Sequence, residues 1–275
     1  MKTWTLIAGI FLAAGLGSGC QNRRDALPPP TLGVSPRQTP APFEMACLAK
    51  PEEDDSLPDL VRRLAPLIIQ EVVSPDASSR ALEPGCKSLP AEVYFAVGVA
   101  QFQAGPRIQV TYGWPVTTPD GIGSKRAMQG VRITLDAGGQ PVLWQALRET
   151  DSAGAIFVSR NLEAAALAEF GGREAGRTFA LERGKRTGAA FRIAALVEDG
   201  PVLMGPILYV RAKTHDLMTV GCRCSPTQAR QLAGQQTYRL VPGDQYIARA
   251  EENLKQVGGP PADDLDLWLR LPASF

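Results

Sequence analysis

Ile108, Val110 and Tyr112 alternate with Arg107, Gln109 and Thr111, and Val131, Ile133 and Leu135 alternate with Arg132, Thr134 and Asp136. A period of two sends successive side chains to opposite faces of an extended chain, so both segments read as strands with one dry and one wet face. The second runs into Ala137, Gly138, Gly139 and Gln140 and then Pro141 to Leu147, which predicts a hairpin closed by a glycine-containing turn. Phe179 and Leu181, a turn at Arg183 to Gly188, and then Phe191, Ile193, Ala195 and Val197 predict a second hairpin, with Ile207 to Val210 a further strand. Val93 to Phe102 is apolar at both parities and reads as a central strand.

Helical spacing appears around these strands. Leu57, Leu60, Val61, Leu64, Ile68 and Val72 recur at that period behind the acidic run Glu52 to Asp55, which suits the positive end of a helix, and Pro66 kinks the helix or ends it at Ala65. Asn161 is placed to cap Leu162 to Phe170, with Gly171 ending that helix. Asp244 to Val257 reads as a C-terminal helix with Gly258 at its end. Clustered hairpins with helices before, between and after them predict an α+β fold, a mainly antiparallel sheet with flanking helices at both ends. Thr117 to Gly130, rich in glycine and without periodicity, reads as the longest internal loop and the mobile element.

Hydrophobic residues at 44% and charged residues at 21% of the chain are ordinary for a globular protein, so low-order segments are local. The globular part is read as a single domain over residues 43–275. Ahead of it, residues 20–42 carry Pro28, Pro29, Pro30, Pro36, Pro40 and Pro42 with few large apolar residues, the composition of a semi-extended tether. Residues 1–19 hold Lys2, an apolar run from Leu6 to Leu16, and then Gly17, Ser18 and Gly19 before Cys20. That is a secretory signal, and its apolar run falls short of the ~20 residues needed to cross a bilayer.

The segment ending Gly17, Ser18, Gly19, Cys20 resembles the lipobox of bacterial lipoproteins. The resemblance implies that Cys20 is acylated and becomes the mature N-terminus, and that Gln21, rather than an aspartate, favours outer-membrane retention. Leu16 stands four residues before the cysteine, with Gly17 where the family mostly has leucine. Gly17 and Gly19 also suit an ordinary signal peptidase, which leaves Cys20 as a free thiol. On the lipid reading the domain is exported, held to a membrane through Cys20, and meets a protein partner in the cell envelope. Loss of Lys2 with the leader takes the formal charge from +1 to 0, which gives no electrostatic case for nucleic acid or anionic lipid.

With Cys20 lipidated, Cys47, Cys86, Cys222 and Cys224 remain, an even set that in an exported protein favours two disulfides. Cys47 with Cys86 clips the N-terminal helix region and leaves Cys222 and Cys224 to each other or to a ligand; cross-pairing, such as Cys47 with Cys224, is the alternative. A disulfide across one residue is geometrically awkward and so more reducible. The signatures of serine hydrolases, P-loops, zincins and C-x-x-C oxidoreductases are missing from the chain. His215 is the one histidine, so any Ser-His-Asp or Cys-His mechanism runs through it.

His215 to Cys224 is the constellation that carries chemistry. Ser225, Pro226 and Gln228 follow it with the pattern of a helix N-cap, a first-turn proline and a capping-box partner, which places both thiols ahead of a helix N-terminus and lowers their pKa. Two thiolates and an imidazole suit zinc or copper, with Met218 adding a thioether for copper. The six residues between His215 and Cys222 match no standard zinc spacing. Arg183 to Arg186 reads as a solvated turn, and Asp263, Asp264 and Asp266 as a solvated loop or helix start. Two function classes follow: a binding or interaction module of the envelope, or a metal-binding or thiol-redox protein using His215, Cys222 and Cys224.

Overall fold

The alternating segments become the middle of an antiparallel meander. It runs through β3 (Glu92–Phe102), β4 (Gly105–Pro119), β5 (Ser124–Leu135), β6 (Pro141–Arg148) and β7 (Gly154–Ser159). Val110 faces Ile133, Tyr112 faces Val131, and Ile133 faces Trp144 across the ladders. The expected wet face is buried as well: Arg107, Gln109, Thr111, Arg132 and Thr134 are shielded and the Gln109 amide donates to the Thr134 hydroxyl at 2.9 Å, while Ile108 is exposed. The β5–β6 turn is fixed as its sequence suggests, with the Gln140 amide donating to the Asp136 carboxylate at 2.8 Å and Gly139 holding φ 79°. The structure, a computed structural model, describes residues 43–72, 86, 89–119, 124–148, 154–183, 191–212, 214–224, 228–243 and 265–275.

The other elements are β1 (Phe43–Pro51), α1 (Asp59–Leu64), β2 (Leu67–Glu71), α2 (Arg160–Phe170), β8 (Phe191–Val197), β9 (Ile207–Val210), β10 (Leu217–Gly221), β11 (Ala229–Pro242) and α3 (Leu265–Trp268). Among the described residues, eleven strands form one sheet in the order β10-β9-β2-β1-β11-β3-β4-β5-β6-β7-β8. The sheet curls into a nearly closed barrel whose edge strands, β8 and β10, approach each other without pairing. We call this gap the seam.

The α+β expectation with flanking helices is therefore corrected to a β-dominated fold with three short helices among the described residues. The N-terminal helix is six residues long; it ends before Pro66, as the proline requires, but Ile68 continues into β2 rather than helix. The second hairpin is replaced by a β7-α2-β8 unit in which β7 and β8 are parallel, because a helical crossover returns the chain in the same direction. Phe179 and Leu181 lie in a turn segment under α2. The α2 N-cap is Ser159, whose hydroxyl accepts from the Leu162 amide at 3.0 Å, and Gly171 closes the helix at φ 68°. β3 is not dry on both faces, since Val97 is 50% and Val99 61% exposed.

Thr117 to Gly130 is mostly ladder rather than loop. Thr117 pairs with Arg126 and Pro119 with Ser124, since backbone hydrogen bonds extend a hairpin without any side-chain period. The helix expected after Ser225 is instead β11, and the cysteines thus precede a strand. The C-terminal helix expected at Asp244 to Val257, the signal, Cys20 and the tether lie outside the described residues.

Inside the barrel, Val110, Tyr112, Val131, Ile133 and Tyr238 pack on Val61 and Leu64 of α1. On the opposite face of β6 and β7, Leu143, Ile156 and Val158 are covered by Leu162 and Ala166 of α2, Phe179, Leu181 and the C-terminal Phe275. Glu163 ties these layers by accepting from the Ala180 and Leu181 amides at 2.8 and 3.3 Å. Its burial pushes the carboxyl pKa up, partly offset by those two amides.

A six-residue helix has no independent stability in water, so α1 depends on what the barrel offers its carbonyls. The Tyr112 hydroxyl donates to Val61 O at 2.6 Å and the Tyr238 hydroxyl to Pro66 O at 2.6 Å. The Gly205 amide donates to Arg63 O at 2.7 Å, and the Arg223 guanidinium to Ala65 O. Deep burial holds both tyrosines far from ionising. Tyr238→Phe removes the donor to a buried carbonyl while keeping the ring, so urea unfolding is expected to show a loss of about 1–3 kcal/mol; an unchanged midpoint would mean that the helix end does not need this bond.

Candidate functional site

The chain must cross the seam to go from β8 to β9, and the connection from Glu198 to Pro206 does so. Gly200-Pro201 and Gly205-Pro206 keep it irregular, since proline denies the ladder a donor and restricts the residue before it. Between this connection, the β5–β6 turn, the start of α2 and the end of β10 lies a cleft of 260 Å³. Val142, Trp144, Val197, Val202 and Met204 supply apolar surface, and Asp136, Glu198 and Asp199 supply carboxylates. Among the described residues, the lining carries no lysine or arginine.

Each carboxylate is positioned by its own element. Asp136 is held by the Gln140 amide. Asp199 accepts from the Asn161 amide at 3.0 Å and so helps start α2, and Glu198 pairs with Arg160 on the outer rim. Trp144 is buried with its indole N–H unpartnered, a condition that calls for an explanation in a folded protein. Val202, 58% exposed, stands at the rim.

Cys222 forms part of the cleft wall and is bonded to Cys224. Cys47 is bonded to Cys86, with 5.6 Å between their Cα atoms, inside the range natural disulfides adopt. Gly234, opposite Cys47 in the β1–β11 ladder, gives this bridge its room, since a Cβ there would stand 3.0 Å from Cys86 Sγ. The two bridges differ in what they restrain. Chain-entropy arguments assign about 4 kcal/mol to closing the 39-residue separation of Cys47 and Cys86 but only ~1–2 kcal/mol to a separation of 2.

His215 does not join the thiols. It occupies the β9–β10 turn at φ 54°, its amide donating to Arg211 O at 3.0 Å and its carbonyl accepting from Gln129 Nε2. Extended β10 then separates that turn from Cys222, by about 16 Å at the usual strand rise. Met218 accepts from Arg211 Nε. No group of three or more histidine, cysteine, aspartate or glutamate side chains able to share a metal ion occurs among the described residues. Asp266 begins α3, as its sequence suggests, but is buried and accepts from the Gln103 amide at 2.6 Å. Arg183 reaches Leu269 O at 2.8 Å, and residues 184–186 lie outside the described part.

Sequence reasoning singled out Cys222 and missed the rest of the cleft. Its walls come from segments more than 80 positions apart, from Asp136 to Cys222, so only the two Gly-Pro dipeptides hinted at an irregular connection. No protein-family model, no curated protein and no solved structure matches this chain.

Proposed function

We propose that this chain is an exported lipoprotein of the cell envelope, anchored through Cys20, whose barrel binds a partner polypeptide by taking a basic side chain into the seam cleft. The observation that carries the binding reading is the lining itself: apolar walls of Val142, Trp144, Val197, Val202 and Met204 beside three carboxylates, of which Glu198 holds Arg160, with no lysine or arginine among the described lining residues. The cleft's 260 Å³ lies just below the ~300–1,000 Å³ of small-molecule pockets, which suits one long side chain better than a cofactor. An arginine or lysine stem covers the apolar walls while its charge meets the carboxylates. The signal, Cys20 and the proline-rich tether support the anchoring.

The test has two arms. Cys20→Ala is expected to move the protein from the membrane fraction to the soluble one and to abolish fatty-acid labelling; retained labelling removes the anchor reading. In calorimetry, the soluble chain beginning at Gln21 is expected to bind short peptides with a central arginine at least tenfold more tightly than the same peptides with glutamate. Glu198→Gln weakens that preference, and it shrinks in high salt. Equal affinity for both peptides, or none, removes the binding reading.

A further inference from the structure

We propose that Cys222 and Cys224 form a thiol–disulfide exchange site beside the seam cleft, with Cys224 as the sulfur that a partner thiolate attacks and Cys222 as the sulfur it displaces. The two are not equivalent. Cys222 is 7% exposed and built into the cleft wall, while Cys224 is exposed to solvent. Exchange requires an approach to one sulfur, and rates depend on which sulfur is reachable and on how readily the other leaves.

The geometry also prepares the leaving group. The Cys224 amide stands 3.1 Å from Cys222 Sγ, so a donor is already in place for the thiolate that forms there. On the other side, Gly200 presents no side chain to that sulfur; a Cβ there would come within 3.3 Å of it. The sulfur is thus free to change its bonding without displacing a side chain. A bridge across one residue restrains little of the unfolded chain, which leaves the bond's chemistry, rather than its length of loop, as its use.

A partner thiolate attacks Cys224 Sγ, forming a mixed disulfide, and the electron pair of the broken Cys222–Cys224 bond stays on Cys222 Sγ. A second partner thiolate attacks the partner sulfur of that mixed disulfide and Cys224 leaves as thiolate. The protons released by the two partner thiols end on Cys222 and Cys224. The partner dithiol is oxidised to a disulfide and this bond is reduced to two thiols, a transfer of two electrons and two protons. Only the seating of the partner depends on the cleft reading; the exchange itself does not.

The experiment equilibrates the full chain beginning at Gln21 with glutathione and glutathione disulfide at fixed ratios, quenches with acid, alkylates, and maps each cysteine by mass spectrometry. Cys222 and Cys224 are expected to become thiols at ratios at least tenfold less reducing than those that open Cys47–Cys86. Both bridges opening together overturns the proposal. With glutathione disulfide, Cys222→Ser is expected to accumulate a mixed disulfide at Cys224 at least tenfold faster than Cys224→Ser does at Cys222; equal rates, or the reverse order, overturn the assignment of roles. The first measurement uses the unaltered chain, so it stands even if a variant fails to fold. Exchange with glutathione needs no occupant in the cleft: exchange without peptide binding removes the binding reading alone, and binding without exchange removes this one.

Discussion

Removing the Cys47–Cys86 bridge with the double change Cys47→Ala and Cys86→Ala is expected to lower stability by about 4 kcal/mol. The bridge spans a sequence separation of 39, and that interval contains α1 and β2. Reduction therefore releases to the unfolded chain the freedom of the segment whose helix the barrel must hold in place. Alanine keeps the buried Cys47 position apolar, so the measured loss reports the cross-link rather than a buried hydroxyl. At a denaturant dependence of ~2–3 kcal/mol per molar, the urea midpoint falls by roughly 1.5 M. The corresponding change at Cys222 and Cys224 is expected to cost ~1–2 kcal/mol. If the two pairs cost the same, loop length does not govern these bridges and Cys47–Cys86 loses its structural role.

The local half of this fold was legible. The strands at Arg107–Tyr112 and Val131–Leu135, the turn at Asp136–Gln140, the stop before Pro66 and the left-handed Gly171 appear as read, because each is decided by neighbours within a few residues. The wet face read for those strands does not, since Arg107, Gln109, Thr111, Arg132 and Thr134 are buried while Ile108 is 43% exposed. What failed was decided at long range. Ile68 and Val72 fit a helical stripe on Leu57, yet β2 forms because β1 and β9 lie on either side of it, and ladder partners outweigh a weak local preference. The helix at Leu162–Phe170 between two strands carries the information that β7 and β8 run parallel, whereas apolar spacing alone makes Phe179–Val197 look like a hairpin.

The site divides in the same way. Cysteine counting gives two disulfides but leaves three connectivities open; the structure selects Cys47 with Cys86 and Cys222 with Cys224. The separation of His215 from the thiols was not legible, because six intervening residues are compatible with a tight loop or with a strand, and only the β9 partner makes Leu217–Gly221 a strand. The helix expected at Ser225 rested on three residues of capping chemistry, while β11 draws on pairing with both β1 and β3.

Gly205→Ala is expected to be the most damaging single methyl in the molecule's cleft region, and it separates steric need from mere proximity to the site. A Cβ at 205 would stand 2.3 Å from Ala65 O, 2.4 Å from Leu64 O and 2.6 Å from Leu64 C. All three atoms are backbone at the end of α1, and that backbone is pinned by the Arg223 guanidinium on Ala65 O and the Tyr238 hydroxyl on Pro66 O. Neither side can give without breaking those bonds or the 2.7 Å bond from the Gly205 amide to Arg63 O. Overpacking of this kind costs typically 1–3 kcal/mol and more when backbone must move, so about 3 kcal/mol or above is expected in urea unfolding. Gly200→Ala, five residues earlier on the same connection, meets Cys222 Sγ at 3.3 Å and Val202 O at 3.4 Å, a contact relieved by a few tenths of an ångström. It is expected to cost under about 1 kcal/mol. Because Gly205 sits between Met204 and Pro206 in the cleft wall, its alanine form also reshapes the seat, and peptide affinity falls with stability. Equal midpoints for the two variants would mean that the crossing connection is not locked onto α1, and the cleft would lose the rigid floor on which its binding geometry rests.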